Sequence, residues 1–444
     1  MTENKNIKYI VIIVLSLFWL YINANKIIYS LNTISKSNRF SEQVVENNYL
    51  KIAVFLDISE KKEEYLKFIR LALKNLGPYE NNASYLIKNA ILLCETGKIK
   101  EGKINIEKIN KSNPVLSDVL YAIYIDKKPV KDQNLAFLLL NKNLKGFYLY
   151  NSLKNLYIIN NEEAQLKMLI KKYYRISSVY VYLFTILIFV FLFFIIFGII
   201  NTYLLFRDRK KLFKDSNDKF TFSLTDCWLF FLIWDFIHVF SPYLIILFGL
   251  NIKSIYSVFF YYVFITLISL AVFVFFFKIK NISCFDFLKF RLNNLSGILK
   301  DSLKYYSVAL LWVLIAAVIN SKILKQINFS SNPIFEIINN ANNPYQIVLL
   351  FLLVCIIGPF VEEIVFRGVL YNAFKMKCGV VFSIIISSMI FSFIHGDPAG
   401  FLPIFVLGVI LAVSYQKTGN LFTSFLLHSL WNTGTFIVFY NVIS

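Results

Sequence analysis

The chain contains three histidines, His238, His395 and His428, and each lies in or at the edge of a long apolar stretch. Those stretches also hold Asp235, Glu362, Glu363 and Arg367. An ionisable group inside a membrane span is expensive, so each of these residues is a functional candidate by default. On a helix Glu363 and Arg367 are four apart and share a face, which allows an ion pair. Glu362 is rotated by about 100° and has no partner on its own helix. The same spacing pairs Phe391 with His395 and His428 with Asn432. At about 1.5 Å of rise per residue, Glu362 lies roughly 20 Å from Lys375, and His395 about 24 Å from Gly379. By the same rise His428 and Asn432 lie about 12 and 18 Å from Asn420. Within a hydrocarbon core about 30 Å thick, the four can meet in one layer.

A carboxylate beside an imidazole in such a layer can hold and deprotonate a water. A second imidazole, with an amide one turn on, can donate to the oxyanion of a tetrahedral intermediate. Together these suit hydrolysis of a peptide bond. A glutamate with two histidines (Glu362, His395 and His428) can instead hold a zinc ion that activates the water. The residues leave both routes open. Taken singly, each motif has a plainer reading. The glutamates can cap an interfacial helix after Gly358-Pro359, and a lone histidine on an apolar face is more often a satisfied core residue. Three helices delivering these groups to one depth is what favours a site. Asp235 and His238, three apart, read as a mutually satisfied pair joining helices.

The elements that must position these groups are membrane helices. The 444 residues are 57% hydrophobic and 18% aromatic, too apolar for an ordinary soluble enzyme. Apolar runs near 9–22, 179–206, 228–250, 255–277, 304–320, 345–374, 379–396, 401–416 and 421–441 give about nine spans. The expected fold is an all-α polytopic membrane bundle. A polar, Lys/Asn/Glu-rich segment at 31–175 is inserted after the first span. Within it, Ala83 to Pro114 reads as helix, turn at Glu95-Thr96-Gly97, then helix, a hairpin similar to a tetratricopeptide unit. The breaks at Gly77-Pro78 and Pro129 punctuate further helices. The expected division is an anchor at 1–30, a soluble helical domain at 31–175, membrane helices at 176–344 and a catalytic core at 345–444. The basic run from Arg207 to Lys211 is a cytoplasmic stop signal, and later Lys and Arg residues follow the same bias. That orientation puts 31–175 outside the cytoplasm. The formal charge of +19 is thus a topological bias, and no nucleic-acid partner is expected. Five scattered cysteines without a CxxC pair argue against a disulfide framework.

At these residues the chain resembles the CAAX protease and bacteriocin-processing family of intramembrane endopeptidases. The family motifs EExxxR, FxxxH and HxxxN appear here in order, as Glu362, Glu363 and Arg367, then Phe391 and His395, then His428 and Asn432. The resemblance covers roughly 345–441. It implies Glu362 as general base, with His395 binding and polarising the water. It implies His428 and Asn432 as oxyanion donors, with Glu363 and Arg367 ordering the site. A metal-dependent and a metal-free mechanism are both associated with the family, so no cofactor is certain and a divalent metal such as zinc stays open. The metal-free version is favoured, because a third protein ligand beside two histidines would have to be a glutamate. The implied substrate is a membrane-associated protein or peptide, and the implied location is the cytoplasmic membrane of a bacterium. A prenyl substrate does not transfer with the resemblance.

Two other classes compete with an enzyme. A non-catalytic bacteriocin-immunity or scaffold protein could use the same fold to bind a peptide. A transporter could use buried Glu and His as a proton relay, though no internal repeat supports it. HExxH is absent, as is a presenilin-type GxGD. The helical segment at 31–175 is the natural place for a protein partner or substrate to be recruited.

Overall fold

A computed structural model describes residues 2–76, 83–208, 223–247, 255–279, 288–323, 343–398 and 400–443. Every regular element among the described residues is a helix, so the protein is all-α as its sequence predicts. Among the described residues seven stretches are long and apolar enough to cross a membrane: Tyr9–Ile28, Glu163–Arg207, Leu224–Ser241, Ile255–Ile279, Leu295–Ile323, Pro344–Ile394 and Phe401–Thr418. This is a polytopic integral membrane protein.

The expected nine spans differ from these seven at two places. Pro344–Ile394 counts once, yet its helix is broken at Gly379 (φ 76°, ψ 174°), where the sequence separates two spans. That positive φ suits glycine, since a Cβ there would be strained. The last helix, Leu421–Ile443, is not among the seven. It carries His428, Asn432 and several hydroxyl residues, the polar groups of the site itself. The basic run at 209–211, the Gly77-Pro78 break and residues 248–250 of the third span lie outside the described residues.

The chain divides into two compact units, Asn38–Val190 and Met1–Ser37 with Phe191–Val442. Helices α1 (Thr2–Ile58) and α8 (Glu163–Arg207) contribute to both. In the helical unit, α2 (Lys62–Asn75) is followed by α3 (Ala83–Glu95) and α4 (Ile99–Ile109), the hairpin expected at 83–114. Asn113 caps α5 (Pro114–Tyr121) by accepting from the Leu116 N–H at 3.2 Å, with proline at the first turn. Then come α6 (Gln133–Asn143) and α7 (Gly146–Ile159). Ile69, Leu92, Ile106, Leu120, Leu140 and Leu153 are among the buried residues of one apolar core.

In the membrane unit the further helices are α9 (Leu224–Leu247), α10 (Ile255–Ile279) and α11 (Leu295–Ile323). The C-terminal part begins with α12 (Pro344–Leu352), capped by Asn343, whose side chain accepts from the Gln346 N–H at 3.0 Å. Two widened π-helical turns, Leu353–Ile357 and Ile364–Tyr371, flank the short α13 (Gly358–Glu363). Pro359 has no N–H to offer the Cys355 carbonyl, which locally breaks the α-helical ladder. Such π turns inside helices are frequent at functional sites.

Helices α14 (Asn372–Ile394), α15 (Phe401–Thr418) and α16 (Leu421–Ile443) complete the unit. A Cβ added at Gly408 would stand 3.0 Å from Ser388 Cβ and 3.3 Å from Phe391, so a small residue is needed where α15 meets α14. Three buried serines of α14 are satisfied within their own helix: Ser383, Ser387 and Ser388 donate to carbonyls four residues back at 2.6, 2.7 and 2.6 Å, while Ser392 donates to the Phe401 carbonyl of α15. Leu288 packs in the core and Phe290 against Phe360 and Phe422.

Candidate active site

The second glutamate is the buried one. Glu363 is fully buried at the end of α13, and every neighbour that reaches it can donate. Arg367 Nη1 donates to its Oε1 at 2.9 Å, the ion pair that the four-residue spacing predicts. His428 Nδ1 lies 3.0 Å from the same oxygen, and Ser424 donates to Oε2. A buried charge is tolerable only when paired and hydrogen-bonded in this way. Arg367 is in turn fixed by a bond from Nη2 to the Gly408 carbonyl at 3.2 Å and by stacking 4.6 Å over the Phe391 ring.

Phe391 is the hub of the apolar side. Its ring meets the His395 imidazole at 4.8 Å, the His428 imidazole at 5.8 Å and Phe366 at 5.0 Å. One aromatic side chain therefore touches residues from all three motif-bearing segments. The π turn that carries Arg367 is latched to α15 from its far end. Tyr371 donates to Gln416 at 2.6 Å, and Asn372 donates to the Tyr415 hydroxyl at 2.9 Å.

Glu362, by contrast, keeps 29% of its side chain exposed. Its nearest charged neighbour is His428, with Nε2 3.8 Å from Oε2, beyond hydrogen-bond range. With Nδ1 donating to Glu363, a neutral His428 ring presents an Nε2 lone pair on the Glu362 side, and a proton added there makes Nε2 a donor. His395 is exposed at the end of α14, and its Nδ1 lies 2.7 Å from the Phe391 carbonyl. A carbonyl only accepts, so Nδ1 carries the proton and Nε2 is the free acceptor. No hydrogen bond or ion pair joins His395 to Glu362 among the described residues. Asn432 donates from Nδ2 to the Val354 carbonyl at 2.8 Å, which ties α16 to the first π turn and leaves the amide one further N–H.

The structure thus brings Glu363, Arg367, His428 and Phe391 into direct contact, with Glu362 at the open edge. Ser424 was not singled out from sequence. The signal was there: Ser424, His428 and Asn432 recur every four residues and line one face of α16. No group of three or more His, Cys, Asp or Glu among the described residues stands close enough to hold a metal ion. Glu362, His395 and His428 are therefore not gathered as a ligand set, although each histidine offers the Nε2 lone pair that zinc would need.

Residues 344–434 match the family model described as Type II CAAX prenyl endopeptidase Rce1-like. The chain is 32% identical over 85 residues to a Bacillus subtilis (strain 168) protein named "Putative membrane peptidase YdiL", covering 19% of this chain and 35% of that protein. It is 39% identical over 101 residues to the membrane-embedded CAAX protease MroQ of Staphylococcus aureus (strain USA300), covering 21% and 40%. The chain thus spans well under half the length of these two relatives. No solved structure matches it. The matched segment coincides with the helices that carry Glu362, Glu363, Arg367, Phe391, His395, His428 and Asn432, so it is these helices that are similar to a CAAX prenyl endopeptidase domain.

Proposed function

We propose that the protein is an intramembrane endopeptidase that hydrolyses a peptide bond of a membrane-associated protein or peptide, with Glu362 as the base. One observation carries this reading above the others: of two adjacent glutamates, Glu363 is buried and occupied by donors at both oxygens, while Glu362 is open beside the His428 imidazole. A packing or scaffold role needs the first glutamate-type arrangement and gives no reason for the second.

In the proposed reaction a water bound at Glu362 loses a proton to that carboxylate as its oxygen attacks the substrate carbonyl. The resulting oxyanion accepts from the free N–H of Asn432 and from His428 Nε2 when that nitrogen is protonated. Glu362 then passes its proton to the leaving amine as the C–N bond breaks, which regenerates the carboxylate. Glu363 and Arg367 hold His428 in its tautomer throughout. His395, at the open end of α14, is the group that binds and polarises the water from the other side. The location that fits best is a bacterial cytoplasmic membrane, as in the two relatives' organisms, with the helical unit extracytoplasmic and recruiting substrate or partner.

The test compares membrane and secreted peptides, by mass spectrometry, from cells expressing wild type or Glu362→Gln at matched levels. Peptides trimmed only with wild type support the reading and name a substrate. Identical peptide sets, together with a phenotype that survives the substitution, leave the binding-scaffold reading standing in its place.

A further inference from the structure

A cavity of about 400 Å³ in the helical unit plays no part in the proposed reaction. Ligand pockets span about 300–1,000 Å³, so this one can take a short stretch of chain. Helix α3 lines it with Leu86 and Asn89, α4 with Ile104, Asn105 and Lys108, and α2 with Leu73. Leu86 and Asn89, like Ile104, Asn105 and Lys108, recur at three or four residues, so each helix turns one face to the cavity. Ile104 is 53% exposed, although Ile106 and Ile109 of the same helix are buried. It leaves apolar surface uncovered at the cavity.

The polar groups of this cavity are poorly satisfied, unlike those around Glu363. Asn89 donates from Nδ2 to the Tyr85 hydroxyl at 2.7 Å, yet its buried Oδ1 has no hydrogen-bond partner. Turning the amide over only exchanges the unmet atom, because a tyrosine hydroxyl can donate as well as accept. Among the described residues no partner holds the Asn105 amide either. Of the two lysines at the cavity, Lys98 pairs with Glu101 at 3.7 Å, whereas Lys108 pairs with no acid among the described residues. The lining thus carries one uncompensated positive charge. A buried amide atom left unmet costs stability, and packing alone gives no reason to keep it.

We infer that this groove is an exosite: it captures an extended segment of the substrate in which an apolar side chain lies beside a carboxylate. An extended peptide presents N–H and C=O groups in turn, and a side-chain amide can answer both. Asn89 and Asn105 offer such amides from the two helices of the hairpin. Leu73, Leu86 and Ile104 receive the apolar side chain, and Lys108 receives the carboxylate, which belongs to an Asp or Glu side chain or to the chain terminus. Calling the captured chain a substrate rests on the protease reading; capture itself does not.

The test passes the tagged full-length protein, in detergent micelles, over an array of short immobilised peptides. These vary in charge and in the placing of one apolar residue, and each ends in a free carboxylate or an amide. Wild type and Glu362→Gln should retain the same peptides, those with an apolar residue beside a carboxylate, and the amidated set shows whether a side chain supplies it. Lys108→Glu, a surface change, should lose these peptides roughly tenfold and gain basic ones. Asn89→Leu should bind every retained peptide more weakly and yet unfold at a higher temperature, since a buried orphan is gone. An asparagine kept only for structure gives the reverse. On the fastest-cut member of an internally quenched peptide library, extended by a retained sequence, Lys108→Glu should raise KM about tenfold with kcat unchanged. An unchanged array pattern in Lys108→Glu overturns the inference, as does wild-type binding in Asn89→Leu. Capture that persists while wild type cleaves the quenched peptide no faster than Glu362→Gln is a different failure, that of the protease reading itself.

Discussion

Both units bury carboxylates, and they treat them differently. Among the described residues of the helical unit, the buried Glu46 and the half-buried Asp57 and Glu95 are each held by two donors. Glu46 accepts from Tyr148 and Lys88, Asp57 from Lys154 at 2.7 Å and Tyr150 at 2.7 Å, and Glu95 from Tyr65 at 2.8 Å and Asn155 at 3.2 Å. Burial first, and then the neighbouring carboxylates, push the hydroxyls of Tyr65, Tyr148 and Tyr150 well above the usual phenol range, so they remain donors. In the membrane unit Glu363 follows the same rule, with arginine, histidine and serine as its donors. Glu362 and Asp235 break it, Asp235 being buried with its Oδ2 unpartnered. An acid left short of partners where water is scarce is the mark of a group reserved for a ligand, whereas a saturated one holds structure.

The sharpest way to break this contrast is to remove one partner from the saturated glutamate. Arg367→Met leaves Glu363 buried beside a ring that already shares it, and breaking a buried pair costs about 3–5 kcal/mol. Thermal unfolding of the detergent-solubilised protein should show a large fall in midpoint. Glu363→Gln with Arg367→Met together should recover much of that fall, since both charges are gone, while cleavage stays reduced because a neutral amide no longer anchors His428 with a charge and can turn its NH2 toward the ring. Recovery of cleavage in the double variant would show that the pair orders nothing.

The comparable cut in the helical unit should cost less. Tyr148→Phe removes one donor from Glu46, 1% exposed, and leaves Lys88 as its partner. An unmet buried acceptor costs about 1–3 kcal/mol. Hydrogen exchange in the intact protein should reveal faster exchange across α7, with kcat on the quenched peptide unchanged. A fall in kcat would mean that the two units share more than a chain.

How far the sequence reveals this can be judged on particular residues. The Glu363–Arg367 pair and the partnerless Glu362 follow from helical spacing alone, because adjacent turns of one helix set both. The common depth of the four motif residues is an expectation drawn from rise per residue alone. The π turns around Gly358-Pro359 did not follow: a proline announces a break, yet which neighbouring turn widens depends on packing. Ser424 was visible as a four-residue recurrence with His428 and Asn432, but serine is common on membrane helices and its hydroxyl usually bonds back to its own turn, as Ser383 and Ser388 do. His238 was discounted because its spacing to Asp235 suggested mutual satisfaction. Spacing cannot reveal that Nδ1 is taken by the Trp234 carbonyl and that Asp235 Oδ2 is left over.

The smallest expected effect concerns thiols, and it extends the contrast to a residue type outside both networks. Cys94 in α3 is held under α4: a Cβ added at Gly102 would fall 2.5 Å from its sulfur. Burial pushes this thiol up to about 11, with the adjacent Glu95 carboxylate adding to the rise. The thiolate is the nucleophile, so at pH 8 only about one part in 1,000 of such a thiol is reactive, against roughly a quarter for an ordinary cysteine. Iodoacetamide should therefore label Cys94 about 100-fold more slowly than a free thiol, with the rate rising tenfold per pH unit as pH climbs toward 11. Cys378, exposed in the membrane unit, provides the internal comparison by peptide mapping. Gly102→Ala should raise the Cys94 rate at constant pH by forcing the hairpin apart. Rapid labelling of Cys94 in the wild type would mean that the α3–α4 hairpin opens readily, and the saturated network around Glu46, Asp57 and Glu95 would then not be what keeps that unit closed.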